Sequence, residues 1–137
     1  ETINLRPPCF LDLRQVAENH TVYEYTIFFD DEQARRLLYP VLKNVSYTRW
    51  HPYFLDIVPE GLSKSYGAAR ILERIGVTRE ECMAFGDGGN DIPIIEYAGI
   101  GVAMGNATDD VKAAADYVTD TVDEDGVVTA LQRFGVL

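Results

Sequence analysis

The run Gly86-Asp87-Gly88-Gly89-Asn90-Asp91 places two carboxylates and a carboxamide inside a glycine-rich turn. It follows an apolar run, residues 81–85, that reads as a strand covered on both faces. In an open α/β sheet, ligands bind outside the carboxyl ends of the strands. Asp87 is expected at that edge, where a carboxylate suits a hard cation such as Mg2+, which takes oxygen ligands and keeps some water. Gly88 and Gly89 can adopt φ > 0 and let the backbone approach a ligand closely. Asn90 can donate to a phosphate oxygen, and Asp91 can ligate or hydrogen-bond from behind. The same spacing also fits an acidic turn that only caps a helix, with Asp91 as the N-cap.

Lys64, in Gly61-Leu-Ser-Lys-Ser-Tyr-Gly67, falls in the first turn of a predicted helix, where the helix dipole disfavours a cation. An ammonium that neutralises a phosphate or a carboxylate fits there, and so does an exposed lysine. Other chemistries find no support. Both histidines, His20 and His51, lie in the first half, and no Ser-His-Asp arrangement is evident. No Lys-Ser/Thr follows the glycines of 86–89, so there is no Walker loop. An EF-hand over 121–132 fails because Thr121 and Gln132 stand at its first and last positions, although Asp123, Asp125 and Gly126 fit.

These residues need elements to hold them. Residues 1–22 read as irregular, with Pro7-Pro8 blocking helix. Residues 23–29 are β-branched or aromatic and predict a strand. Asp30 or Asp31 offers a cap for a helix whose apolar positions are Ala34, Leu37, Leu38, Val41 and Leu42, interrupted near Pro40. Residues 45–50 and 53–58 predict a hairpin around His51-Pro52. Ser63 caps a helix to Ile75, with Ala68, Ile71, Leu72 and Ile75 as its apolar face and Gly76 as its stop. Then come the 81–85 strand, a helix over 91–97 with Pro93 in its first turn, and a strand over 100–104. A helix capped by Thr108, a strand over 117–119 and a helix over 126–134 complete the chain. Strict alternation predicts a parallel sheet flanked by helices on both faces. The boundary falls near residue 59, between an α+β piece and half of a Rossmann-like sheet.

The bulk numbers narrow the classes. A net charge of −10 opposes binding to nucleic acid or anionic lipid. The acidic residues cluster at Asp30-Asp31, Asp109-Asp110 and positions 120–125, which suits loop tips and helix starts. Cys9 and Cys82 are too few for a disulfide scaffold, and Cys82 reads as a buried thiol. No apolar stretch approaches the ~20 residues a membrane helix needs. No signal peptide is visible, so a cytoplasmic location is the default expectation. Glu1 opens the sequence without a domain start, which reads as a fragment or a processed product.

Several motifs in series carry a resemblance: Ser63-Lys64, Phe85-Gly-Asp-Gly-Gly-Asn-Asp91, Gly101-Val-Ala-Met-Gly-Asn-Ala107, Val111-Lys-Ala-Ala-Ala-Asp-Tyr-Val-Thr119 and Asp123-Glu-Asp-Gly-Val127. Over residues 59–137 the series resembles the C-terminal half of Cof-type phosphatases of the haloacid-dehalogenase superfamily. Residues 1–58 resemble loosely the second half of the α/β cap inserted in those enzymes, with Arg49-Trp50 in its final hairpin. The resemblance implies a HAD-like Rossmannoid core with part of a cap. It also implies Mg2+ and a small phosphorylated substrate, sugar phosphates by family habit. Asp87 and Asp91 would serve the metal, and Lys64 and Asn90 would serve catalysis and substrate binding. Trp50, His51 and Tyr53 either help select substrate or only pack the hairpin.

The family's nucleophile motif, Asp-x-Asp-Gly-Thr, is absent, as is the Ser/Thr motif after it. This stretch alone is therefore expected to be inactive. Its expected partner is the missing N-terminal half of the same protein; without it, an exposed strand edge and apolar surface should give self-association or marginal stability. The competing reading is a non-enzymatic α/β interaction module.

Overall fold

The computed structural model describes residues 12–137. A first, antiparallel sheet holds β1 (Tyr25–Ile27), β2 (Val45–His51) and β3 (Phe54–Pro59) in the order β1-β3-β2. The β2–β3 hairpin shifts register between Thr48 and His51. Such an irregularity bends a strand and re-aims its end. Helix α1 (Leu13–Asn19) precedes β1 in the chain, and helix α2 (Asp31–Leu37) packs on this sheet. The α2 start is a capping box: Asp30 accepts from the Gln33 N–H at 2.8 Å, and Gln33 accepts from the Asp30 N–H at 3.1 Å. Ala34 of α2 packs on Leu55 and Ile57.

The second sheet is parallel, in the order β4-β5-β6, with β4 (Met83–Gly86), β5 (Ile100–Ala103) and β6 (Tyr117–Val118). Its helices are α3 (Lys64–Ile75), α4 (Ile92–Tyr97), α5 (Asp109–Ala114) and α6 (Gly126–Arg133). Ile95, Ala103, Ala107 and Val111 form the core where α4 and α5 meet β5. The sheet face toward them carries the small residues Ala84, Gly86, Gly101 and Ala103, paired Ala84 with Gly101 and Gly86 with Ala103. A Cβ at Gly101 would stand 2.3 Å from the Ile95 carbonyl oxygen, so glycine there lets α4 lie close on β5.

The structure corrects several expectations. Residues 13–19 are helical because Asp12 accepts from the Arg14 N–H at 2.9 Å; Cys9 and Pro7-Pro8 lie outside the described residues. Helix α2 stops at Leu37, before Pro40, whose ring and missing N–H end a helix. Val41, expected on its apolar face, is 72% exposed. β1 is shorter than residues 23–29. β4 begins at Met83 because Glu81 caps a 3-10 turn, accepting from the Thr78 N–H at 3.0 Å. Met83 and Phe85 are half-buried, so one face of β4 is only partly covered. Cys82 is half-buried rather than buried. Helix α3 is capped by Ser63 and stopped by Gly76 at φ 72°, yet Ile71 and Ile75 are 61% and 62% exposed. β4 pairs with β5 alone among the described residues, which leaves its other edge open.

Candidate active site

The chain leaves β4 at Gly86 and enters a 3-10 turn, Gly89–Asp91, that runs into α4. Asp87 and Asp91 are therefore both at the carboxyl end of β4, but in different surroundings. Asp91 is buried and Asp87 is exposed. Asp91 Oδ2 accepts from the N–H groups of Asp87 at 3.0 Å and Gly88 at 3.1 Å. Its Oδ1 accepts from Lys64 Nζ. Lys64, the first residue of α3, is half-exposed on its side chain and lies in the cleft beside Asp87.

Burial raises the Asp91 carboxyl pKa. The hydrogen bond from Lys64, those from Gly88 and Asp87, and the Lys64 charge together outweigh burial and hold it below the ordinary carboxylate value. Asp91 is thus a committed anion that fixes both the 87–88 turn and the lysine.

Gly88 and Gly89 do not use φ > 0: Gly88 has φ −114°, and neither appears among the left-handed glycines. The need for glycine lies instead at Gly86, where a Cβ would stand 2.3 Å from Asp91 Cβ. Asn90 is half-buried and lines a cleft of about 830 Å³. That cleft is lined by Lys64 and residues 87–91 together with Arg49, His51 and Pro52 of the hairpin. A smaller depression of about 410 Å³ adjoins Asp87 and Lys64 and is bordered by Asn106 and Val122.

Of the hairpin residues singled out in the sequence, His51 faces the cleft and stacks on Phe54 at 4.4 Å. Tyr53 is 67% exposed and is not part of the cleft wall. The Trp50 side chain lies outside those described.

Two residues were not singled out for the site. Arg49 Nη1 donates to the carbonyls of Phe29 at 2.9 Å and Pro52 at 3.1 Å, and more weakly to those of His51 and Phe54 at 3.4 Å. It ties the hairpin tip together. Asn106 donates to Asp87 Oδ2 at 3.3 Å. A signal for Asn106 was available: it follows the strand parallel to β4 and so arrives at the same sheet edge.

The donor set fits a hard cation in part. Asp87 is exposed and, among the described residues, its carboxylate accepts from the neutral Asn106 donor alone, which leaves lone pairs for a ligand. Mg2+ is commonly held by one or two carboxylates together with substrate phosphate and water. Among the described residues, no three His, Cys, Asp or Glu side chains converge as a full cage.

A family model described as haloacid dehalogenase-like hydrolase matches residues 6–131. The chain belongs to that family. It is 41% identical over 123 residues to the 5-amino-6-(5-phospho-D-ribitylamino)uracil phosphatase YcsE of Bacillus subtilis (strain 168), covering 85% of this chain and 49% of the relative. Among solved structures, the HAD phosphatase BT1666 of Bacteroides thetaiotaomicron superposes with a TM-score of 0.85 at 44% identity, over 95% of this chain and 48% of that one. The HAD subclass IIB sugar phosphatase BT4131 superposes with a TM-score of 0.79, also at 44% identity, over 90% of this chain and 47% of that one. The chain thus spans about half the length of the relatives it matches. The α/β class and the parallel sheet with flanking helices agree with these HAD neighbours. Among the described residues, no helix is long and apolar enough to cross a membrane.

Proposed function

We propose that this chain belongs to a Mg2+-dependent phosphomonoesterase of the Cof-type HAD group that acts on small phosphorylated metabolites, sugar phosphates first among them. The carrying observation is the pairing of Lys64 with buried Asp91 beside exposed Asp87, all at the carboxyl end of β4. In this reading residues 1–58 are the C-terminal part of an α/β cap and residues 59–137 the C-terminal half of the core. The open edge of β4 accepts a strand from the remainder of the protein, which brings the aspartate nucleophile.

Asp87 is the metal ligand from this half. Asp91 supports the site by fixing the Lys64 ammonium through Oδ1 and the 87–88 turn through Oδ2. It holds the Lys64 ammonium where negative charge gathers on the transferring phosphoryl group, and preset charges of this kind cost no reorganisation during reaction. Asn90 donates to a phosphate oxygen from the cleft wall. When bound, the cation supplies further neutralisation of phosphate charge. The hairpin wall at His51 and Pro52 meets the leaving-group side of the substrate. That sugar phosphates are favoured rests on likeness to a protein described as a sugar phosphatase.

The test is a panel of sugar phosphates and other phosphomonoesters incubated with the complete protein, with Mg2+ and with chelator. Metal-dependent release of phosphate is expected. The same assay on these 137 residues alone should give none. A complete protein that binds Mg2+ but hydrolyses nothing would favour an interaction module instead.

A further inference from the structure

We infer that Asn106 is a positioning residue that aims the Asp87 carboxylate, and that it makes the turn at 119–126 part of the site. The inference rests on the metal-ligand role proposed for Asp87.

Asn106 uses both ends of its carboxamide. Its Oδ1 accepts from the Val122 N–H at 3.1 Å, and its Nδ2 donates to Asp87 Oδ2 at 3.3 Å. The orientation follows from chemistry: a backbone N–H only donates, so the oxygen must face Val122 and the nitrogen must face the carboxylate. Asp87 is otherwise exposed and would sample several rotamers. A neutral donor on one oxygen restricts them and leaves the second oxygen for a cation.

The anchor at Val122 is itself built. Buried Thr119 donates its hydroxyl to the Gly126 carbonyl at 2.6 Å, and Gly126 N–H donates to the Thr121 carbonyl at 3.0 Å. Thr121 Oγ1 donates to Glu124 at 2.8 Å. On the other side, Gly105 N–H donates to the Asp120 carbonyl at 3.0 Å. A Cβ at Gly105 would stand 2.8 Å from the Asp120 carbonyl carbon, and one at Gly126 only 2.1 Å from the Asp120 oxygen. The two glycines let the 105–107 and 119–126 segments close on each other, and Asn106 bridges that closed pair to Asp87. The described side-chain contacts of Asn106 are to Asp87 and Val122, so its effect on the site is assigned through Asp87.

The experiment measures the dissociation constant of Mn2+ alone, by calorimetry and by electron paramagnetic resonance, on the complete protein and on N106A and N106S. Thermal unfolding of each is recorded in parallel. Groups that hydrogen-bond to a metal ligand typically govern affinity by about 10–100-fold, and a weakening in that range is expected in both variants with cooperative unfolding retained. Val122→Pro, which deletes the anchoring N–H, should weaken Mn2+ in the same direction. Unchanged Mn2+ affinity in N106A and N106S would overturn the inference, as would a fall in thermal stability without a change in affinity or the failure of both variants to fold. If the parent protein itself binds no Mn2+, the metal role of Asp87 fails first, which separates the two outcomes.

Discussion

Lys64 and Asp91 stand 27 positions apart and meet as an ion pair that joins the first residue of α3 to the turn after β4. The pair is asymmetric: the carboxylate is buried and the ammonium half-exposed. The burden of desolvation falls on Asp91, which offsets it with two backbone N–H donors. Lys64 keeps access to the cleft.

Removing the ammonium should therefore hurt chemistry more than folding. In Lys64→Met, Asp91 retains the N–H groups of Asp87 and Gly88, so circular dichroism and cooperative unfolding should be preserved. Loss of one charge-stabilising donor typically costs about 10²–10³-fold in kcat, and that is the drop expected in steady-state kinetics of the complete protein. A variant with unchanged kcat would remove Lys64 from the mechanism.

The depressed Asp91 pKa gives a signed pH effect. Its folded value lies below the ordinary 3.8. The stabilisation is therefore present above the unfolded pKa, about 3.9, and is lost as pH falls through the folded value. Asp91→Asn cannot titrate there. Urea midpoints measured across that acid range should fall more steeply for the parent than for the variant, and parallel curves would contradict the assignment.

How much of this was legible in the sequence depends on range. Local signals worked. Asp30, Ser63 and Gly76 marked helix ends because capping is decided within a few residues. The strand–turn–helix at Asp87 was visible because the apolar run and the glycines are contiguous. Three other features needed contacts between distant segments. Gly86 looked like a turn residue, but the atom it must avoid belongs to Asp91, brought back by the 3-10 turn. Asn106 is an ordinary Gly-Asn turn residue until the sheet sets it beside Asp87. Arg49 is one arginine in a strand until four carbonyls converge on it. The apolar spacing of α3 predicted a covered face, but Ile71 and Ile75 are mostly exposed, because spacing does not say what covers it.

Gly86 and Gly89 should respond differently to alanine. At Gly86 the new Cβ would sit 2.3 Å from Asp91 Cβ, so the turn or the strand must move. At Gly89 the nearest atom would be Asp110 Oδ2 at 4.0 Å, an ordinary contact. Overpacking a tight site typically costs about 1–3 kcal/mol, and Gly86→Ala should lose that much by denaturant titration while Gly89→Ala stays near the parent. Equal stability of the two would refute this account of the β4 end.

Arg49 should control the hairpin residues that line the cleft. Arg49→Met leaves the Phe29 and Pro52 carbonyls without their donor. Phe29 is half-buried and Pro52 exposed, so water replaces part of the loss; a hydrogen bond typically contributes about 0.5–1.5 kcal/mol net, and a loss in that range is expected in chemical denaturation. Because the tip brings His51 and Pro52 into the cleft that Lys64 also lines, KM for a sugar phosphate should rise more than kcat falls. The reverse split would place Arg49 with the reacting group rather than the leaving-group side.

The apolar surface on α3 and the free edge of β4 make the last prediction. Ile71 and Ile75 project 61% and 62% exposed from one helix, one turn apart. The open side of β4 presents the backbone groups of its alternate residues, Met83 and Phe85, to which no strand is paired among the described residues. Exposed edges and apolar patches favour association, so these 137 residues in isolation should elute from size exclusion as concentration-dependent oligomers. Replacing Ile71 and Ile75 by Glu should then shift the isolated chain toward monomer. In the complete protein the same double change should lower thermal stability if the rest of the molecule covers α3. An isolated chain that stays monomeric at high concentration would argue against association. A complete protein indifferent to both substitutions would show that α3 faces water there too.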